Sequence, residues 1–334
     1  MSTLAGMGEK VDLEQFRVEL TGYCYRMLGA PFEAEDAVQE TLVRAWRGID
    51  TFDEARGALR TWVYRIATNV CVDMLRGARR RARVLDFEPQ PPPGGELGVP
   101  LPESAWVWPV PDGRVVPVGA DPAEEVLLRD SIRLAFVAAL QRLSPRQRAV
   151  LILRDVLCWR AEEVARLLEA STASVNSALQ RARATLREAR VAPGEPLDEE
   201  GRRLLARYCD AFERHDVEAM VALLHEDATT TMPPFLWWMR GREEIRRMQL
   251  AAGRPCAGAR LVPATASGSP AFGHYMPTGP GGELQPFALV VVTISGELIA
   301  ELTTYLGAGR LFPMFGLPAT PPPRGEYGGA TRAR

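Results

Sequence analysis

The chain has 334 residues, of which 46% are hydrophobic and 25% are charged, and its formal net charge is −2. This length predicts two or three domains, and this composition excludes a membrane-embedded or low-complexity protein. A charge so close to zero gives no general attraction to nucleic acid. An argument for such a partner therefore depends on where the basic residues lie.

The cysteines and the apolar runs exclude further classes of protein. The five cysteines are widely spaced, without a CxxC pair or a Cys/His cluster, which predicts reduced thiols and neither a disulfide framework nor a metal site. The N-terminal residues MSTLAGMGEK lack the apolar core of a signal peptide, and the longest apolar run, 287–294, is too short to cross a bilayer. We therefore expect a cytoplasmic protein that does not insert into membranes.

Residues 12–83 have the apolar periodicity of a three-helix domain. The inward positions of the second helix are predicted to be Val38, Leu42, Ala45, Trp46 and Ile49. The third helix has a predicted buried stripe of Leu59, Trp62 or Val63, Ile66, Val70 and Met74. Asp36, Gln39 and Glu40 are left on the outer face of the second helix.

The third helix of this domain is strongly basic and carries aromatic residues. Eight arginines and one aspartate lie between Arg56 and Arg83, a local charge of +7. Arginines pair with phosphates and aromatic rings stack on unpaired bases, so the mixture of Arg60, Trp62 and Arg65 indicates binding to single-stranded or melting DNA. The alternative is that Trp62 is a core residue and the arginines form a solvated helix end.

Residues 84–125 differ sharply from both neighbouring segments. They contain ten prolines and five glycines, and eight acidic residues stand against Arg114 alone, a local charge of −7. No helical or strand period extends over a useful length, which predicts an extended linker. Its negative charge would suit a channel built for nucleic acid, although the composition alone favours a solvated spacer.

Residues 126–192 are predicted to form four helices, the last two joined as a helix-turn-helix. Glu169–Ser171 supplies a turn of about three residues, and the Ser171 hydroxyl is suited to cap the last helix. The outer face of that helix carries side chains able to contact base edges and phosphates: Thr172, Ser174, Asn176, Ser177, Gln180, Arg181 and Arg183. The alternative is an ordinary helical hairpin with a solvated polar face.

Residues 198–316 mix helical and strand periodicities, which predicts an α+β domain. Strands are expected at 228–232 and near 258–266, 271–276, 285–295 and 298–306. Residues 317–334 are rich in proline and glycine and are predicted to be a disordered tail.

Three segments carry a recognisable pattern: DAVQETLVRAW (Asp36–Trp46), LRTWVYRIATNVCVDMLR (Leu59–Arg76) and LSPRQRAVLILRDVLCWRAEEVARLLEASTASVNSALQRARATLR, which begins at Leu143. In this order, with an acidic linker before the last, they resemble the extracytoplasmic-function (ECF) sigma factors of bacterial RNA polymerase. Residues 198–316 resemble the SnoaL-like, ketosteroid-isomerase-like cone domains that some members carry. The resemblance implies two all-α sigma domains, the second with a helix-turn-helix, followed by an α+β cone domain.

The resemblance also implies a role for each helical segment. Asp36, Gln39 and Glu40 match the face that binds the clamp of core RNA polymerase. One part of region 2 (12–83) matches the segment that opens and reads the −10 promoter element, where one base is flipped out. The matching residues are Arg60, Trp62, Arg65, Asn69 and Arg76. In region 4 (126–192), the helix 172–183 matches the one that reads the −35 element in the major groove. The acidic linker matches a segment that enters the polymerase's RNA path.

Two departures from the family pattern occur in region 4. Glu169 occupies a turn position that usually carries glycine, and Asn176 and Ala178 replace basic residues of the recognition helix. Fewer phosphate contacts predict weaker and less salt-sensitive binding to the −35 element.

We therefore expect a non-enzymatic sigma factor that binds core RNA polymerase and promoter DNA, needs no cofactor or metal, and is modulated by its cone domain. A small-molecule ligand and an anti-sigma factor are further candidate partners. The alternative is a cone-domain isomerase or cyclase with a DNA-binding appendage, whose base would be Asp227, His225 or His274 in an apolar site. The candidate cone pocket comprises Trp237, Trp238, His274 and Tyr275.

Overall fold

A computed structural model describes residues 12–53, 55, 57–76, 97–119, 121–189, 197–251 and 256–323. The chain divides into two compact units. The helical unit comprises Met1–Ala78, Gly113–Leu128 and Leu140–Ala189, and the second unit comprises Arg79–Asp112, Arg129–Ala139 and Arg190–Arg334. The predicted linker is therefore shared between the two units, with the division at Asp112.

The first part of the helical unit is the predicted three-helix domain. Its helices are α1 (Arg17–Leu28), α2 (Pro31–Gly48) and α3 (Leu59–Leu75). Gly29 ends α1 in the left-handed region at φ 79°, and Pro31 occupies the first turn of α2. These are the residues that stop one helix and start the next with least strain, so the α1–α2 connection is short.

Two details of the predicted packing are wrong. Trp46 was expected to face inward but is 73% exposed. The buried line of α2 passes through Ala45, and the next residue lies about 100° further round the helix. In α3, of the alternatives Trp62 and Val63, Val63 is the buried one and Trp62 is half-buried, whereas Met74, which was expected to be buried, is 36% exposed.

Five helices follow the linker, one more than predicted. They are α4 (Pro122–Asp130), α5 (Leu134–Leu140), α6 (Pro145–Leu151), α7 (Ala161–Leu167) and α8 (Thr172–Glu188), with a π-helical turn at Ile152–Val156. Ser144 forms a capping box with Gln147 at the start of α6. The Ser171 hydroxyl accepts the Ser174 amide at 3.2 Å, which confirms it as the cap of α8.

Two buried arginines connect α1 with later parts of the helical unit. The Arg148 guanidinium donates to the Met27 carbonyl at the end of α1 and to Gln141 Oε1 at 2.7 Å. Arg26 donates to the Leu128 carbonyl at 3.0 Å. Burial lowers the pKa of Arg26 to about 10, so this group stays charged at neutral pH. Charge-assisted hydrogen bonds to main-chain carbonyls therefore join regions 2 and 4.

The second unit has the predicted α+β fold. Its strands are β1 (Leu224–Thr231), β2 (Trp238–Arg240), β3 (Arg260–Ala266), β4 (Ser269–Met276), β5 (Gln285–Ser295) and β6 (Leu298–Leu306), in one sheet of order β2-β1-β6-β5-β4-β3. Its helices are α9 (Glu199–Glu213), α10 (Val217–Val221), α11 (Arg242–Ala251) and α12 (Ala308–Met314). β1 pairs with β6 in parallel, and the other pairs are antiparallel. The sequence pattern missed β2 and α12, because each is too short to show a period.

Both faces of this sheet are covered. Phe272 of β4 points towards α9, where its ring centroid lies 6.3 Å from that of Tyr208. Tyr275 of the same strand points the opposite way and packs on Phe312 of α12 at 5.0 Å. The Tyr275 hydroxyl donates to the Pro318 carbonyl at 2.7 Å, so the first residues of the predicted tail pack on the sheet. Residues 324–334 lie outside the described residues.

The first half of the linker also belongs to the second unit, which differs from the expected solvated spacer. Trp106, Val107 and Val110 are buried. The Tyr305 hydroxyl of β6 donates to the Val107 carbonyl at 3.1 Å. Val110 exchanges two hydrogen bonds with Ser267, at 3.0 and 2.8 Å. The run WVWPV, five apolar or proline residues, supplies this attachment. The average composition of the whole linker conceals it.

Further polar contacts fix the two ends of this linker segment. The Leu101 amide donates to the Pro234 carbonyl at 2.9 Å, and the Gly268 amide donates to the Asp112 carboxylate at 2.9 Å. Glu103 forms an ion pair with Arg310 of α12. Residues 101–112 are therefore held along their length, and we call them the stapled linker.

Candidate nucleic-acid and polymerase interfaces

The three residues predicted to bind polymerase lie together on α2. Asp36, Gln39 and Glu40 are all exposed, while Ala37 and Val38 between them are buried. The Glu40 carboxylate pairs with Arg44 at 2.6 Å and is about half exposed. An ion pair so open to water contributes little to stability. These carboxylates therefore remain available to a partner.

The residues predicted to read the −10 element all lie on or next to α3, in different surroundings. Asn69 is exposed, and Arg76 is exposed beside Asp73 at 3.1 Å. Trp62 is half-buried, with its ring centroid 5.3 Å from that of Phe52 in the preceding loop. This aromatic pair presents a partly open ring surface of the kind on which an unpaired base can stack.

Arg60 is exposed on α3 but is bound by other side chains of the helical unit. Glu19 of α1 accepts two hydrogen bonds from its guanidinium, at 2.9 and 2.6 Å. The guanidinium lies 5.4 Å from the ring centroid of Tyr64 and 5.2 Å from that of Trp159. Both distances are within the range of a cation–π interaction. We call Glu19, Arg60, Tyr64 and Trp159 the Arg60 cluster.

Trp159 joins region 4 to region 2 in this cluster. It follows the π-helical turn, and its ring centroid lies 4.9 Å from that of Tyr64. A second contact is the ion pair between Arg65 and Glu169, at 3.6 Å. The helix predicted to read the −10 element is thus in contact with the helix-turn-helix module.

The sequence pattern did not indicate that Glu19 and Trp159 contact α3, although the departure from glycine at position 169 is a local signal of an unusual backbone there. Glu169 has φ 49° and Cys158 has φ 55°, so both occupy the left-handed region that favours glycine. This explains why glycine is usual at the position of Glu169. The carboxylate that replaces it here faces Arg65.

The predicted recognition surface is present on α8. Six of its seven residues are exposed and Thr172 is half-buried, which leaves a polar face over the buried Val175 and Leu179. Arg183 forms a two-point ion pair with Asp155, at 2.8 and 2.7 Å. Ala178 is only 5% exposed and Asn176 is exposed. The weaker binding to the −35 element that these two replacements imply stays a prediction.

The structure does not bring the four candidate cone-pocket residues together. His274 and Tyr275 are neighbours in β4 and point to opposite faces of the sheet. Trp238 lies in β2 and Trp237 directly precedes it, while four strand spacings of about 4.8 Å separate β2 from β4 in the sheet. Of the three candidate bases, His225 and Asp227 lie together on β1, where the exposed Asp227 donates its amide to His225 Nδ1 at 3.1 Å, while His274 lies on β4, three strands away.

His274 is buried between aromatic rings. Phe212 and Phe287 lie edge-on to it, with centroid distances of 5.2 and 5.1 Å, and its Nε2 has no hydrogen-bond partner among the described residues. Burial lowers the pKa of His274 to about 4. The ring is therefore neutral at physiological pH. No group of three or more candidate metal ligands occurs within the described ranges.

Comparison with known proteins assigns a family model to each domain. Residues 13–81 match Sigma-70 region 2, residues 133–186 match Sigma-70, region 4, and residues 205–302 match the SnoaL-like domain. No helix in the part of the chain that the structure describes has the length and apolarity to span a membrane.

Two relatives show how far the similarity extends. The chain is 44% identical over 313 residues to the ECF RNA polymerase sigma factor SigG of Mycobacterium tuberculosis, covering 91% of this chain and 82% of that protein. It is 29% identical over 249 residues to the ECF sigma factor SigJ of that organism, covering 72% of each. The crystal structure of SigJ superposes with a TM-score of 0.59 at 22% identity, covering 93% of this chain and 100% of that one, and so shares its fold.

We predict that the free energy of unfolding of the second unit falls as the pH drops from about 6.5 towards 4. The folded pKa of His274 is about 4, against an ordinary value of 6.5, so the unfolded chain binds one more proton in this window. The loss amounts to at most about 1.4 kcal/mol per pH unit. Urea titrations between pH 4 and 7.5 measure it, and His274→Phe should lack this component. The same pH dependence in both proteins would contradict the assignment.

Proposed function

Because this chain belongs to the ECF sigma factors of RNA polymerase, we propose that α2 docks it on the core enzyme, α3 opens and reads the −10 element, and α8 reads the −35 element. The observation that supports this proposal is that the three sets of side chains assigned by the resemblance lie on three separate helices of one unit. Such a factor acts where the polymerase and the promoter are, which supports a cytoplasmic location.

The recognition face of α8 supports direct reading of bases. Asn176 and Gln180 lie one helical turn apart on its exposed side, and carboxamides can bond an adenine edge through two atoms. Arg181 is exposed next to them and suits a guanine edge or a phosphate. Ser171 caps the N-terminal end of α8, which fixes the conformation of its first turn. Recognition helices enter the major groove by this end.

The contacts of α3 support a closed resting form of the helical unit. Arg60 and Arg65 are assigned to the −10 element, yet both guanidinium groups bind acidic side chains of the unit itself. Trp159 also covers Tyr64 on the same helix. The −10 and −35 elements are separate stretches of DNA, so α3 and α8 must move apart to read both. We infer that binding to polymerase and promoter opens the contact between α3 and region 4.

The cone domain is proposed to modulate this activity through the stapled linker. The linker matches a segment that enters the RNA path, and residues 101–112 are instead packed on the sheet of the second unit. While held there, this segment is not free to enter the polymerase. An enzymatic role for the cone is not favoured, because His274 in its apolar site lies on a different strand from His225 and Asp227, and the chain belongs to the sigma factors.

Asn69→Ala should reduce open-complex formation roughly tenfold while leaving affinity for core polymerase unchanged, since a lost contact to a base costs about 1–3 kcal/mol. Asn69 is exposed, so the variant should fold normally. Asp36→Ala is the reciprocal control and should weaken core binding without changing promoter opening once the complex has formed. Permanganate footprinting and binding to labelled core enzyme measure the two effects. The opposite ordering, or no promoter-dependent transcript from the wild-type protein, would contradict the proposal.

Releasing the stapled linker should raise transcription. Tyr305→Phe removes the hydrogen bond to the Val107 carbonyl, and Ser267→Ala removes the one to the Val110 amide. Each change should cost about 1 kcal/mol of attachment and leave the sheet folded. We expect the double variant to give severalfold more transcript in a purified system. Val118→Ala, at a fully exposed linker position, is the control. Unchanged or lower transcription by a double variant with a folded cone would count against this mode of regulation.

A further inference from the structure

We propose that Trp46 anchors the chain on core RNA polymerase by inserting its indole into an apolar slot of the clamp. The proposal rests on the proposed docking of α2 and adds to it a residue that carries much of the affinity. Trp46 was expected to be a core residue, and its exposure is the observation that motivates this role.

The exposure of Trp46 is unusual for this protein. Its side chain is 73% exposed, and among the described aromatic residues Phe287 is the next most exposed, at 37%. Trp46 lies within α2, which continues to Gly48, so the exposure does not come from a frayed end. An indole exposed to water lacks the favourable free energy that burial of its apolar surface would give. A contact outside this chain would recover it.

Trp46 extends the surface that carries the proposed polymerase-binding residues. Gln39, Val43 and Trp46 follow one another at spacings of four and three residues, which places them on one side of the helix. Val43 is also exposed, at 41%. Asp36 and Glu40 border this line at its beginning. The surface is therefore acidic towards the start of α2, while towards its end it presents the apolar Val43 and Trp46 flanked by the exposed Arg47.

The charged and apolar ends of this surface predict the chemistry of the partner that binds it. The acidic end calls for basic groups, and the apolar end calls for a slot deep enough to take an indole ring. Tryptophan is enriched among residues that dominate binding energy when they fill such a slot next to polar contacts. We assign this occupant to the clamp surface of core polymerase, because Trp46 continues the line of residues matched to that contact.

The test measures the affinity of the full-length protein for core polymerase in the absence of DNA. Trp46→Ala should weaken binding roughly 30-fold, the change expected when a dominant interface residue is truncated. Trp46→Phe, which keeps an apolar ring, should recover part of the loss. Leu250→Ala truncates an apolar side chain of 53% exposure in the second unit and should bind as wild type does. None of the three changes should shift the thermal midpoint, since all are at exposed positions.

The outcomes separate this inference from the proposed function. If the wild-type protein binds core polymerase and Trp46→Ala binds within twofold of it, the anchor is overturned while the sigma-factor assignment stands. If the wild-type protein fails to bind, the docking of α2 itself is wrong. Sedimentation of both proteins tests a second copy of the chain as occupant. Loss of a dimer in Trp46→Ala without loss of core affinity would also overturn the proposal.

Discussion

The contact of Trp159 with Tyr64 and Arg60 closes region 4 onto α3, in addition to the hydrogen bonds of Arg26 and Arg148 elsewhere in the helical unit. It joins the helix-turn-helix module to the helix assigned to the −10 element. The contact relies on a tilted ring pair and a cation–π interaction, and the buried Trp159 indole N–H has no hydrogen-bond partner among the described residues. A buried donor left in this state costs about 1–3 kcal/mol. Opening the unit removes that cost, so the contact is suited to exchange for DNA.

Arginine is used in three different ways in this unit, and its chemistry explains each. Arg148 is buried and donates several hydrogen bonds to main-chain and amide oxygens. Arg60 lies between aromatic rings and a carboxylate. Arg181 is exposed on the recognition face. A planar, weakly hydrated guanidinium tolerates all three settings, whereas a lysine ammonium would be suited mainly to the last.

Local patterns predicted the helices, the cap at Ser171 and most strands, because periodicity and capping depend on neighbouring residues. They failed where distant segments meet. Trp46 lies one position beyond a buried line that only the packing of α1 and α3 defines. Trp238 and His274 appeared to belong to one pocket, but strand order separates them. Trp106 and Val110 lie in a segment whose average composition is that of a spacer, and only the sheet beneath them reveals their burial.

The closed form of the helical unit is tested most directly by a distance measurement within the intact protein. Fluorescent unnatural amino acids can replace Asp73 on α3 and Ala173 on α8. Both positions are exposed and lie outside the proposed binding residues. A closed helical unit predicts high energy transfer in the free protein and a clear fall when core polymerase and promoter DNA are added. Unchanged transfer in a complex that still makes promoter-dependent transcript would contradict it.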